Sequence, residues 1–347
     1  MNKKNVSGIF IILLIKIIFK SSGLVIAQSV VNIEVRNQFP KISDINYLQS
    51  PQNFVFDNQC NKLFINDQPA SQILAYHSNG KFINEIGREG KGPGELINPS
   101  GVVFGNGYIF VNDQGNQRIQ IFKESGEFIE SIVLDEFPFW GYSFAYHDEK
   151  LIFFPRYHLG LAGKDALKNH SLFKILDLNR KKVIDEFGEF PIVTDNMHYL
   201  GARVQIRFYK KHFYVLFQSY PLLRKYSLDG DLIFEKDISE YADDYKLLIE
   251  KNSSESSFTP GSLAVTFLYT GFDIIENSIY VAYFDDKAAV IDELDLNGIK
   301  KQRYRKEMES ESFSSFQDFR VCNFDNNLLF YFLVNKHIPK IMVFKIK

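Results

Sequence analysis

The sequence predicts an all-β chain of six four-stranded sheets arranged in a ring, a six-bladed β-propeller, and three observations carry that prediction. Sliding the sequence along itself by 46 residues lays "NKLFINDQPASQILAYHSNGKF" (61–82) over "NGYIFVNDQGNQRIQIFKESGEF" (106–128), with Phe64 on Phe110, Asn66 on Asn112, Asp67 on Asp113, Ile73 on Ile119, Gly80 on Gly126 and Phe82 on Phe128. Each unit reads as a short apolar strand, a turn, a strand ending in Asn-Asp, a loop, an alternating strand, a Ser/Asn-Gly turn and a fourth strand, and such a unit repeated about every 45 residues is a propeller blade. The 34 Phe and 18 Tyr suit flat sheets packed face to face better than they suit a helical bundle.

The chain opens with Lys3 and Lys4, an apolar run from Gly8 to Phe19, and Val25-Ile26-Ala27. Those are the basic, apolar and small-residue regions of an export signal, so residues 1–27 are predicted to be removed after Ala27, leaving 28–347. Lys16 and Lys20 interrupt the apolar run and argue against a spanning helix of about 20 residues. Neither Cys60 nor Cys322 lies in this segment, so the thiol a lipoprotein signal needs is missing. Loss of four lysines leaves 36 basic against 42 acidic residues, a net charge of about −6 with no basic cluster. That balance makes nucleic acid an unexpected partner.

"QSVVNIEVRN" (28–37) alternates like a half-buried strand and precedes blade one. Blade six, which starts near Phe316, runs out of chain one strand short, so residues 28–37 are expected to complete it and close the ring without an open edge. Between blades one and two lies "GREGKGPGEL" (87–96). A phosphate-binding reading needs such a loop to lead into a helix N-terminus. This one leads into "GVVFGNGYIF", a strand pair; Pro93 removes a donor, and no Lys-Ser/Thr follows, so the glycines are read as turn punctuation.

Blade three is expected from about Trp140 to Gly188, blade four from Arg203 to Ile238, and blade five from Phe267 to Arg305. "DISEYADDYKLLIEK" (237–251) departs from the pattern. Asp237 stands as a cap, Glu240 lies three residues on, and Tyr241, Tyr245, Leu248 and Ile249 are helically spaced, so residues 237–266 are read as a helical and loop insertion between blades four and five.

The stretch "GREGKGPGELINPSGVVFGNGYIFVNDQGNQRIQIFKESGEF" resembles the repeat of NHL-type six-bladed propellers, with Asp113, Asn116, Arg118, Ile119 and Gly126 on the motif positions. The match is strong over residues 54–132 and weak beyond. Taken whole, the chain is similar to the exported NHL/TolB-like 6-bladed beta-propeller proteins abundant in Bacteroidota. That resemblance implies a fold and an exported location, periplasmic or extracellular, and no reaction.

Propeller function gathers where loops between blades and second-to-third strand loops ring the channel mouth. On this chain that face is expected to carry Arg88, Glu89 and Lys91, Trp140, Arg156, Tyr157 and His158, Arg203, Asp285 and Asp286, and Lys336 and His337. Ligand binding is assigned to Arg88, Trp140, Arg156, Tyr157, His158, Arg203, Asp285 and His337. Trp140, read as sitting in a linker, either plugs a blade junction or offers a stacking platform, and "PRYHLGLAGKDALKNH" (155–170) lengthens blade three's loop. Asp67 and Asp113 recur in register and are read as caps of their own turns.

The seven histidines do not recur at one blade position and no His-x-x-x-His occurs, so no zinc site and no cofactor are predicted. A calcium site built from scattered oxygens leaves no linear motif and stays open. No Gly-x-Ser-x-Gly is present. The reading is an exported binding or scaffold module for a peptide, glycan or partner protein, with a metal-dependent, lactonase-like hydrolase or lyase as the alternative. Cys60 and Cys322 fall on neighbouring blades, at what sequence position suggests are different heights, and are expected as free thiols.

Overall fold

A computed structural model of the chain describes residues 30–40, 47–134, 139–155, 170–191, 204–218, 221–239, 269–284, 288–308, 316–335 and 338–347, the side chains of 139–142 aside. After strand β1 (Val30–Phe39), blade one contains β2 (Pro51–Phe56), β3 (Lys62–Asp67), β4 (Gln72–His77) and β5 (Phe82–Ile86). Blade two contains β6 (Gly101–Gly105), β7 (Tyr108–Asp113), β8 (Arg118–Lys123) and β9 (Phe128–Val133), with one 3-10 turn at Gln114–Asn116. Blade three contains β10 (Phe139–His147), β11 (Lys150–Pro155), β12 (Phe173–Asp177) and β13 (Lys182–Phe187). Blade four contains β14 (Val204–Tyr209), β15 (His212–Phe217), β16 (Leu222–Tyr226) and β17 (Leu232–Asp237). Blade five contains β18 (Tyr269–Ile275), β19 (Ser278–Phe284), β20 (Ala288–Asp295) and β21 (Lys300–Glu307). β22 (Phe316–Phe324), β23 (Asn327–Val334) and β24 (Lys340–Ile346) begin blade six.

Within each blade the strands pair antiparallel in chain order, and the first strands pack against one another around the ring, β2 against β6, β6 against β10, and so on until β22 meets β2. The second strands read as near-continuous apolar runs, such as "HFYVLF" and "NLLFYFLV", because a blade is covered on both faces by its neighbours. The fourth strands β13 and β17 are mostly exposed and correspondingly charged. Sequence polarity therefore rises from the second strands to the fourth.

The core is divided among the junctions. Among the described residues, six clusters of buried side chains each join one blade to the next, for example Phe64, Ile73 and Ile86 of blade one with Ile109, Val111 and Phe122 of blade two. Aromatic pairs mark several junctions: Phe64 with Phe104 at 5.7 Å, Phe110 with Tyr146 at 5.0 Å, and Phe56 with Tyr331 at 4.8 Å. Rings at these spacings add about 0.5–1.5 kcal/mol each beyond the area they bury.

β1 closes the ring as expected, two residues later than the sequence reading placed it. Ile33–Phe39 run antiparallel to β24, and Val30–Asn32 pair in parallel with Arg303–Arg305 of β21. The N-terminal strand thus completes blade six and also covers the outer edge of blade five, giving one eight-stranded sheet. Gly80, in the turn between β4 and β5, shows how tightly the clasp fits: its φ is +92° and a Cβ there would stand 2.6 Å from the Phe39 ring. Only glycine satisfies both demands. Residues 1–27, the 240–266 part of the insertion and most of the 155–170 loop lie outside the described residues.

Candidate functional site

A first strand has a sheet partner on one edge only, so its other edge presents unpaired N–H and C=O groups toward the next blade. Side chains satisfy them here. Asn53 Nδ2 donates to Val102 O at 3.1 Å, joining blades one and two. Ser143 Oγ accepts from Ile206 N at 3.0 Å, Gln205 Oε1 from Phe272 N at 3.1 Å, Asp273 Oδ2 from Val321 N at 2.9 Å, and Asp318 Oδ2 from Phe54 N at 3.2 Å. Five of the six junctions, among the described residues, are laced this way by one polar side chain on a first strand.

Across blades four to six this lacing becomes ionic. Arg207 on β14 reaches Asp273 at 3.8 Å and Asp318 at 3.7 Å, donates to Ile206 O and Gln205 Oε1, and lies over the Phe272 ring. Arg320 Nη1 donates to Asp318 Oδ1 at 3.3 Å. Burial pushes Asp318 up to about 7 and Asp273 to about 6, against the pull of Arg207 and of the backbone N–H groups each carboxylate accepts. Burial likewise lowers Arg207, whose Nε is buried without a hydrogen-bond acceptor.

The antiparallel order puts interblade linkers and second-to-third strand turns on one face of the ring, and first-to-second strand hairpins on the other. On the linker face, the glycine loop at 87–96 folds back on itself: Leu96 N donates to Arg88 O, Gly90 N to Leu96 O, and Gly92 N to the Glu95 carboxylate at 2.8 Å. Arg118 Nη2 donates to Gly92 O and Glu95 O, and Asn116 Nδ2 to Gly90 O. The N–H groups of Gly90, Gly92 and Gly94, which a phosphate loop would present to an anion, are already used within the chain, as the punctuation reading expects.

Asp113 accepts from Arg118 Nε and Asn116 in the turn after its strand and also from Ile97 N in the preceding linker at 2.8 Å. Asp67 holds the preceding linker through Gln49 N and Ser50 N at 2.7 and 2.8 Å, and burial raises its carboxyl. Asp113 thus caps its own turn as expected and also clamps the linker entering blade two, whereas for Asp67 the turn cap is corrected to a clamp on the linker entering blade one. Between these two clamped corners lies a shallow open depression of about 490 Å³ lined by Gln68, Pro69, Asn98, Gln114 and Gly115. The side-chain amides of Gln68, Asn98 and Gln114 have no hydrogen-bond partner among the described residues and offer both donors and acceptors.

Of the residues assigned to ligand binding, Arg88 sits on this face with its side chain 81% exposed, paired to Glu95 at 2.9 Å. The Gly92 N–H, and after it Arg88, hold the Glu95 carboxyl below its ordinary range. Trp140 is the second residue of β10, a first strand, rather than part of a linker. Arg156, Tyr157, His158, Arg203, Asp285 and His337 lie outside the described residues. Sequence reasoning missed Asn53, Gln205, Arg207, Asp273, Asp318 and Arg320; the available signal was polar residues set among apolar ones in the first strands, as in "TGFDII" and "VQIRFY". Among the described residues no three His, Cys, Asp or Glu side chains gather as metal ligands. No described helix is long and apolar enough to cross a membrane.

A family model described as a 6-bladed beta-propeller, DUF5128, matches residues 42–331. No curated protein matches the sequence. Among solved structures, a Bacteroides fragilis protein named as exported is similar at 14% identity, with 92% of this chain and 96% of that one covered and a TM-score of 0.54. A DUF4221 family member from Bacteroides vulgatus is similar at 15% identity, with 92% and 99% covered and a TM-score of 0.56. The luciferin-regenerating enzyme is similar at 12% identity, with 91% and 94% covered and a TM-score of 0.51. At these identities the likeness is one of fold, shared by an enzyme and by a protein named only for its location.

Proposed function

Starting from the chain's membership of the DUF5128 family of 6-bladed beta-propeller proteins, we propose that it is an exported binding module that recognises a glycan, peptide or partner protein on the linker face. One observation carries this reading: the open depression between blades one and two, rimmed by the uncommitted amides of Gln68, Asn98 and Gln114. Amides that neither fold nor clamp the chain are suited to hydroxyl-rich or peptide ligands, to which each can both donate and accept. The channel-wall carboxylates support the same reading from the other side, since each accepts backbone N–H bonds from a neighbouring blade and is engaged in holding the ring. Arg88, Trp140, Arg156, Tyr157, His158, Arg203, Asp285 and His337 are proposed to extend the face around this depression.

The test is a glycan and peptide array probed with the purified protein, followed by titration of any ligand against Gln68→Ala/Gln114→Ala and Trp140→Ala/Arg156→Ala variants. Affinity falling at least tenfold in the first pair supports the depression as the site. Unchanged affinity in both pairs removes the linker face from the proposal. Export after Ala27 is checked separately, by the N-terminus and compartment of the protein made in its own cells.

The second reading, a metal-dependent hydrolase or lyase, draws on Asp273 and Asp318, two carboxylates pushed toward neutrality on the channel wall, a feature common in catalytic sites. It predicts about one divalent ion per chain on elemental analysis and loss of lactone or ester hydrolysis on chelation.

A further inference from the structure

The junction of blade one and blade six is where the ring closes, and it does so by strand pairing: the chain enters blade one from β1, which is held to blade six by hydrogen bonds. Asn37 Nδ2 reaches Asn79 O across this seam at 2.8 Å. Both cysteines of the protein lie at this seam. Cys322 is the seventh residue of β22, close to the strand's hairpin end, and Cys60 stands in the hairpin between β2 and β3, so both sit toward the hairpin face of the ring. The different heights expected from sequence are thereby corrected. The Cys322 Sγ lies 3.8 Å from Cys60 O, and the two residues share a cluster with Leu63, Tyr76, Leu329 and Tyr331.

Cys60 is also unusual for its position. In every blade the first hairpin turns through a non-glycine residue with positive φ: Asn106, Glu149, Lys210, Asn277 and Asn326 in blades two to six, all polar. Blade one alone has Cys60, at φ +58°. The turn is held by Asp57, whose carbonyl accepts from Cys60 N at 3.2 Å and whose carboxylate accepts from Asn61 N at 2.8 Å. A held, left-handed turn thus carries a half-buried thiol toward a fully buried one on the facing blade.

We propose that Cys60 and Cys322 are a disulfide-forming pair that staples blade one to blade six across the seam of the ring. The pair rests on the export reading for its oxidising surroundings, in which such bonds persist. The more accessible Cys60, as thiolate, attacks an external disulfide such as oxidised glutathione or an oxidoreductase disulfide, and one external thiol leaves. Cys322 then loses its proton and its sulfur attacks Cys60 of the mixed disulfide, forming the Cys60–Cys322 bond and releasing the second external thiol. Two thiols of the protein are oxidised and one external disulfide is reduced to two thiols. Neighbouring Cys60 and burial hold the Cys322 thiol well above its ordinary range, which keeps it protonated and makes Cys60 the entry point. A link between positions 262 apart restrains most of the unfolded chain.

The test uses the folded full-length protein incubated with oxidised glutathione, then denatured, alkylated without reductant and mapped by mass spectrometry. The expected result is a cross-linked peptide pair containing Cys60 and Cys322, no alkylation at either, and a Tm higher by about 5 °C that reverts with dithiothreitol. Cys60→Ser, altered at a half-buried turn that tolerates a polar residue, should fold and show neither cross-link nor shift. Two alkylated cysteines after oxidation, or glutathione retained on Cys60, would overturn the proposal. Because the oxidant is added to pure protein, this outcome does not depend on where the protein resides, and a failure of export leaves it unchanged.

Discussion

Two carboxylates, Asp113 and Asp318, are both buried on strands of the ring, and they organise their surroundings in opposite ways. Asp113 gathers Ile97, Asn116, Arg118 and Gln120, all within 16 positions of it, into the corner that clamps one linker. Asp318 gathers Phe54, Gln205, Arg207 and Arg320, which belong to three blades and lie up to 264 positions away. The local corner shapes one blade's entrance. The distant network ties strands of separate blades together, and it does so with groups whose protonation burial has shifted. A repeat can copy the first kind of carboxylate from blade to blade, whereas the second kind exists only once the ring has closed.

That contrast can be broken most directly at Asp318. Asp318→Ala leaves Arg207 short of an anion and Phe54 N without an acceptor, and should destabilise the protein by about 3–5 kcal/mol in chemical denaturation, as removal of one partner from a buried pair does. A loss under about 1 kcal/mol would show that the ring does not depend on this network. Asp113→Ala strands one backbone N–H and one guanidinium at a partly open corner, for an expected loss of about 2–3 kcal/mol. Its signature is local: hydrogen exchange should accelerate in residues 87–100 and hardly at all in β18 and β22. Uniform acceleration around the ring would erase the distinction between the two carboxylates.

The pH dependence sharpens it. Asp273 and Asp318 titrate near 6 and 7 in the folded protein, above the ordinary carboxyl value of 3.8, so the folded state binds protons more tightly than the unfolded state. Their contribution to stability therefore falls as pH rises from about 4 to about 7 and returns on acidification, by on the order of 4 kcal/mol for the two together between pH 8 and pH 5. Denaturation midpoints across that range should show this trend in the wild type and a flatter one in Asp318→Asn. An identical slope in both would mean that Asp318 stays ionised throughout. The smallest effect belongs to Arg88, whose exposed pair with Glu95 is screened by solvent, so Arg88→Ala leaves Tm nearly unchanged and any effect it has appears in ligand affinity.

The same division separates what could be read in the sequence from what could not. The blades, their order, the glycine turns and the closing strand were legible, because each depends on groups within about 45 residues or on a strand visibly missing from one end. The corner at Asp113 was half legible: its Asn116 and Arg118 partners lie within five positions, while the linker it clamps reaches back to Ile97 and shows no spacing signal. The glycine loop's role followed from what comes after it, a strand pair rather than a helix.

The sequence by itself determined a six-bladed ring and the strand that closes it, because alternation and turn chemistry are local properties repeated blade after blade. Only the tertiary structure decided which polar residues meet at the axis and that Cys60 faces Cys322 across the seam. The side chains of Arg207, Asp273 and Asp318 lie on three different strands until curvature brings three blades together, and no pattern along the chain encodes the angle at which they meet. Closure sets that angle, because the number of blades and the thickness of the aromatic packing between them fix where each first strand lies.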